Sequence, residues 1–176
     1  MRAAFLEALR ADGPAPESGE NAELYGRFVG AWDLAVTRFL EDGSTRTQPG
    51  EWHFAWVLEG RAIQDVWIVP GRGPARDAAP ASERYYGTTL RIWDPRIDAW
   101  RIQYADPASH TYSSMIGRAE GCDIIQTGRN EAGDAIRWSF RDIQAESFLW
   151  RGEVSTDDGR SWRTHIEFTA KRRTTA

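Results

Sequence analysis

The sequence is poor in the residues on which many function classes depend. Among 176 residues there are one cysteine, two methionines and three histidines. A lone thiol, Cys122, can make neither an internal disulfide nor a thiolate-rich zinc site, which excludes a disulfide-stapled secreted module. Its simplest reading is a small buried residue. His53, His110 and His165 are scattered without metal-ligand spacing, so no metal is expected. Basic residues are outnumbered, 22 Lys and Arg against 26 Asp and Glu, for a formal charge of −4. No nucleic-acid partner is expected on that balance. No apolar run approaches the roughly 20 residues of a membrane-spanning helix. Residues 1–10 lack the uninterrupted apolar stretch of a secretory leader, and the expectation is a soluble cytoplasmic domain with no membrane partner. Nucleophile elbows, phosphate-binding glycine loops and His-Glu-x-x-His motifs are also missing, so no catalytic residue can be assigned from the sequence.

What is present is aromatic. Nine tryptophans, seven phenylalanines and five tyrosines sit in a chain whose apolar share is 41%. That share is slightly below the ordinary one, so the apolar residues are few but large. They belong in a core or on the wall of a ligand cavity.

Helical spacing is confined to the first thirty residues. Residues 5–9 read as a short turn, broken by Asp12-Gly13-Pro14-Ala15-Pro16. Asn21 then reads as a cap for a second piece, in which Ala22, Leu24, Tyr25 and Phe28 share a face and Gly30 ends the run. From there the period changes to two. Strands are expected at 31–40, 51–58, 62–69, 84–93, 99–105, 111–118, 122–127, 135–141, 147–154 and 162–170, about ten in all, joined mostly by hairpin-length turns. The absence of strand–helix alternation disfavours a parallel α/β sheet. A sandwich competes with a closed meander, but the near-uniform turn spacing leaves little room for long crossings, and closure removes free edges. The reading is all-β: an antiparallel up-and-down barrel of about ten strands with a short N-terminal helix. Residues 1–20 form a leading segment, 21–170 the single barrel domain and 171–176 a frayed tail.

Several segments carry a family likeness. Phe28-Val29-Gly30-Ala31-Trp32 resembles the Gly-x-Trp entry of lipocalin-like (calycin) barrels, in which a short helix leads into the first strand. Trp56-Val57-Leu58-Glu59-Gly60-Arg61-Ala62, the run from Gly87 to Pro95, Arg137-Trp138-Ser139-Phe140 and the run from Ser155 to Trp162 resemble a group of bacterial lipocalin-like proteins. The likeness covers most of residues 24–170. It implies a cup with an interior cavity, closed at one end by Trp32, and it implies no particular ligand. Ten strands suit the fatty-acid-binding-protein and nitrobindin branch better than eight-stranded lipocalins. That branch implies a haem held by a histidine of the last strand, here His165. Against it, Asp33-Leu34-Ala35-Val36 stands where the branch carries a glycine-rich first strand. His165 also alternates with Arg163 and Glu167, which suggests the solvent face. The residues themselves lead to an expectation of no cofactor.

Polar residues within apolar strand patterns are the site candidates. Tyr85, Gly87, Thr89 and Arg91 share one face. Trp56, Trp67 and Tyr104 are expected to form an apolar wall, with Gln64, Arg91 and His110 as polar contacts. A buried Arg91 would require an anionic partner, either Asp65 or a carboxylate on the ligand. The loop 70–82, rich in Pro, Gly and Ala, is expected at the open end as a gate. The expected activity is binding of a small, largely apolar or aromatic molecule in the barrel. The alternatives are a cofactor-free lyase, cyclase or isomerase in the same cavity, and a haem-binding barrel. Homodimerisation is left open.

Overall fold

The period-two alternation that begins at Gly30 becomes a closed sheet in the computed structural model, which describes residues 2–174. The strands are β1 (Gly30–Phe39), β2 (Thr45–Val57), β3 (Ala62–Val69), β4 (Tyr85–Asp94), β5 (Ala99–Asp106), β6 (Thr111–Glu120), β7 (Asp123–Arg129), β8 (Ala135–Arg141), β9 (Ser147–Ser155) and β10 (Arg163–Arg172). Each pairs antiparallel with its sequence neighbour, and β10 returns to β1 to close the barrel. Leu34 faces Ala170 and Val36 faces Phe168 across that seam. Among the described residues no strand edge is left unpaired, which removes the template for edge-to-edge aggregation.

β2 is longer than its apolar pattern. Thr45–Gly50 is almost entirely polar or glycine and mostly exposed, yet it pairs with β1 through the register Phe39↔Thr45 to Leu34↔Gly50. Hydrophobic alternation cannot report a stretch that joins the sheet by backbone pairing and polar contacts rather than by apolar side chains.

Helix α1 (Arg2–Leu9) precedes a 3₁₀ turn (Pro16–Asn21) and helix α2 (Ala22–Gly26). Asn21 makes no side-chain cap bond to α2. Tyr25 and Phe28 hang from α2 into one end of the barrel and are fully buried. Phe28 stacks on Phe140 at 4.6 Å and meets Phe148 edge-on at 4.9 Å. Trp32 lies beside them, 4.6 Å from Phe148, with its indole N–H donating to the Phe28 carbonyl at 2.7 Å. Arg172 covers its outer face, 4.1 Å from the ring, and donates to the carbonyls of Val29 and Arg27. Lys171 and Arg172 therefore belong to the barrel rather than to a frayed tail; of the expected tail, residues 175 and 176 lie outside the described residues. This end is packed solid, so any cavity must occupy the other half.

Candidate functional site

The inward-facing residues change character along the barrel axis. Near α2 they are mostly aromatic, with Ile63, Ile102 and Ile124 between the rings. Beyond Arg91 one wall becomes small: Gly87 and Thr89 on β4 and Ser113 on β6 face inward. The facing wall stays large, with Trp52 on β2, Trp138 on β8, Trp150 on β9 and Phe168 on β10. The mismatch leaves a cavity of about 470 Å³, open at the end opposite α2. That volume lies within the range of small-molecule sites.

The floor is polar. Arg91 and Asp65 are both fully buried and form an ion pair between Nη1 and Oδ2. The Thr89 backbone N–H donates to Asp65 Oδ1 at 3.2 Å. Arg91 Nε and the Tyr25 hydroxyl both donate to Gln126 Oε1, at 3.4 and 3.3 Å. The guanidinium also lies 5.0 Å from the Tyr25 ring and 5.6 Å from Phe54. Burial pushes the Asp65 carboxyl up, while the neighbouring Arg91 pulls it down. Of the two partners the sequence allowed for Arg91, the structure contains Asp65.

The side wall is an aromatic stack. Trp67 lies parallel to Tyr85 at 5.8 Å and close to parallel to Tyr104 at 6.1 Å. Gly87, the register partner of Trp67, makes room for it: a Cβ there would collide with the Trp67 indole nitrogen and sit 2.8 Å from Tyr104 Cε2. Close approach, rather than an unusual backbone angle, requires glycine at this position. Tyr104 donates to Asp106 Oδ2 at 3.5 Å. Burial, reinforced by the Asp106 charge, raises its phenol and keeps it protonated.

At the mouth, β10 carries an irregularity. Thr164 pairs with Glu153 and Ile166 with Gly152, so His165 is an extra residue between two register partners. This bulge overturns the solvent-face expectation for His165, because parity along a strand fails across an inserted residue. His165 lines the cavity beside Arg163 and Ile166. Burial, together with the charges of Arg38 and Arg163, lowers its pKa to about 4.

Three of the six expected contacts line the cavity: Trp67, Arg91 and Tyr104. The other three do not. Trp56 faces inward but at the closed end, where a Cβ on Gly26 would lie 2.8 Å from its ring. Gln64 points outward, since Ile63, Asp65 and Trp67 are the inward set of β3, and it donates to Thr88 Oγ1 at 3.0 Å. His110 is exposed in the β5–β6 turn with a positive φ of 55°. The expected contacts leave out Arg38, Trp52, Trp138, Trp150 and His165, the last named only through the haem resemblance and expected on the solvent face. Parity was available for the tryptophans; what was lacking was their depth along the barrel, which follows from where α2 plugs it.

The connection 70–84, which contains the loop expected at 70–82, lies at the open end and has secondary structure of its own. It holds helix α3 (Pro74–Ala78) and a 3₁₀ turn (Ala81–Glu83). Arg76 Nη1 donates to the carbonyls of Val69, Pro70 and Tyr85 at 3.1–3.2 Å. Among the described residues no group of three or more potential ligands could hold a metal ion, and no helix is long and apolar enough to cross a membrane.

No protein-family model matches the sequence, and no curated protein matches it. Among solved structures, the S-type phycobiliprotein lyase CPES from Guillardia theta is similar over 88% of this chain and 93% of its own, with a TM-score of 0.60 and 10% identity. Rv2717c from M. tuberculosis is similar over 92% of this chain and 99% of its own, with a TM-score of 0.59 and 13% identity. At such identities the likeness concerns the fold alone. The chain is a closed barrel of ten antiparallel strands, and the likeness to these two proteins lies in that fold.

Proposed function

We propose that this protein binds a small, flat, largely aromatic molecule in the open half of its barrel. The observation that carries the reading is the half-empty interior: a cavity of about 470 Å³ walled by seven aromatic rings, above an end packed solid. An apolar pocket with a few convergent polar groups is the usual form of a small-molecule site. The chemistry of His165 supports binding over acid–base catalysis. A general base works best with a pKa near the working pH, and this imidazole sits at about 4.

A second reading, a cofactor-free lyase or isomerase in the same cavity, draws on the fold shared with a phycobiliprotein lyase. Tyr104, a phenol held protonated on the cavity wall, would orient its substrate by hydrogen bonding. The haem that the nitrobindin branch implies would find a neutral imidazole, His165, on the wall, a residue type that could hold its iron; haem titration would then shift the Soret band from that of free haem. Calorimetric titration with naphthalene-sized aromatics tests the main reading. Binding is expected in the native protein. Ser113→Phe, which fills the small wall, should abolish it while leaving the circular dichroism of the barrel intact. Undiminished binding to Ser113→Phe would place the site elsewhere. Conversion of the bound compound, followed by mass spectrometry, would favour the lyase reading.

A further inference from the structure

Among the described residues the other buried and half-buried arginines are partnered, most by carboxylates and Arg76 and Arg84 by backbone carbonyls. Arg91 meets Asp65, Arg137 meets Glu153 and Arg151 meets Glu167. Arg38 departs from that pattern. It is an inward-facing residue near the open end of β1, half-buried, and it lines the cavity. Its guanidinium lies 4.0 Å from the centre of the Tyr85 ring. Among the described residues it makes no ion pair, and its Nε is buried without a hydrogen-bond partner.

The surroundings do not compensate for it. Arg163 lines the same mouth and also lacks a carboxylate among the described residues. Glu153 acts on His165 in the opposite sense to the two arginines, but both of its oxygens are taken by Arg137 at 2.8 and 3.0 Å. Asp134, on the cavity wall as well, accepts from Asn130 Nδ2 at 3.1 Å. The indole N–H of Trp150, another wall residue, is buried without an acceptor. Donors and positive charge are thus in excess at the mouth of a protein whose formal charge is −4. A partly desolvated guanidinium is costly without an anion, and its planar fork matches a carboxylate in two-point contact. Arg91 is not that contact, because Asp65 already neutralises it.

We infer that the ligand is an anion, an aromatic carboxylic acid whose ring lies among the cavity indoles and whose carboxylate is held by Arg38 with Arg163 at the rim. The inference rests on the cavity being a site for aromatic molecules. It is tested with two probes of one shape, 2-naphthoate and its neutral amide, titrated calorimetrically into the full chain at pH 7.5. The native protein should prefer the acid by about tenfold or more, and added NaCl should weaken the acid and leave the amide unchanged. Arg38→Gln should remove the preference by weakening the acid alone, and Arg38→Lys should restore part of it. Equal affinity for the two probes in the native protein, or tighter binding of the amide, overturns the anion and leaves the aromatic site standing. So does a folded Arg38→Gln variant that keeps the preference. Binding of neither probe to the native protein removes the aromatic site, and this inference with it.

Discussion

Asp65 and Arg91 show how one buried side chain constrains another. Each charge is expensive in an apolar interior, and the pair is tolerable because Thr89 and Gln126 take up further hydrogen-bonding capacity. Asp65→Ala leaves the guanidinium uncompensated and is expected to cost about 3–5 kcal/mol in urea unfolding. The double variant Asp65→Leu/Arg91→Met removes both charges and should unfold closer to the native protein than either single change. His165 is expected to shape the pH dependence of stability. Its pKa falls from 6.5 to about 4 on folding, so between those values the unfolded chain binds the extra proton. Its contribution is therefore complete above pH 6.5 and is lost as pH falls towards 4, by roughly 2–3 kcal/mol over the window. Urea titrations at pH 7.5 and 5.0 should show the loss, and His165→Phe should flatten it.

Short irregular elements set the rim, and they are where sequence reading reached least. The β9–β10 pair illustrates why: one inserted residue at His165 reverses facing, and nothing in Arg163-Thr164-His165-Ile166 announces it. The loop 70–84 makes the same point differently. Its order comes from Arg76 and Arg72, which reach back to the barrel at Val69, Tyr85 and Glu51. Such contacts depend on tertiary proximity and leave no periodic trace. Hydrogen bonds from a charged donor are worth about 1.5–3 kcal/mol each when desolvated; at this half-buried position Arg76→Ala is expected to cost less, about 1 kcal/mol globally, while loosening the loop locally. Hydrogen exchange should therefore quicken across residues 71–84 and stay unchanged in β7 and β8. If the loop gates the cavity, ligand dissociation should quicken in the same variant.

At the scale of the molecule, closure was legible because it rests on a repeated signal, turns that recur at even spacing. The plug at Trp32 was implied only by the resemblance to Gly-x-Trp barrels. The cavity was legible only in part. Parity groups Tyr85, Gly87, Thr89 and Arg91 on one face without saying which face is inward, and it carries no measure of depth, so Trp56, which lies at the closed end, was expected on the cavity wall. The packing of aromatics has an optical consequence. Trp138 and Trp150 are 5.3 Å apart, Trp52 and Trp150 6.1 Å, and Trp93 and Trp100 6.0 Å, centre to centre. At such separations excitation absorbed by one indole migrates to the next before it is emitted. Emission from the folded chain should be strongly depolarised even when the barrel is rigid. The indoles around the cavity then act as one antenna, in which a single quencher darkens rings it never touches.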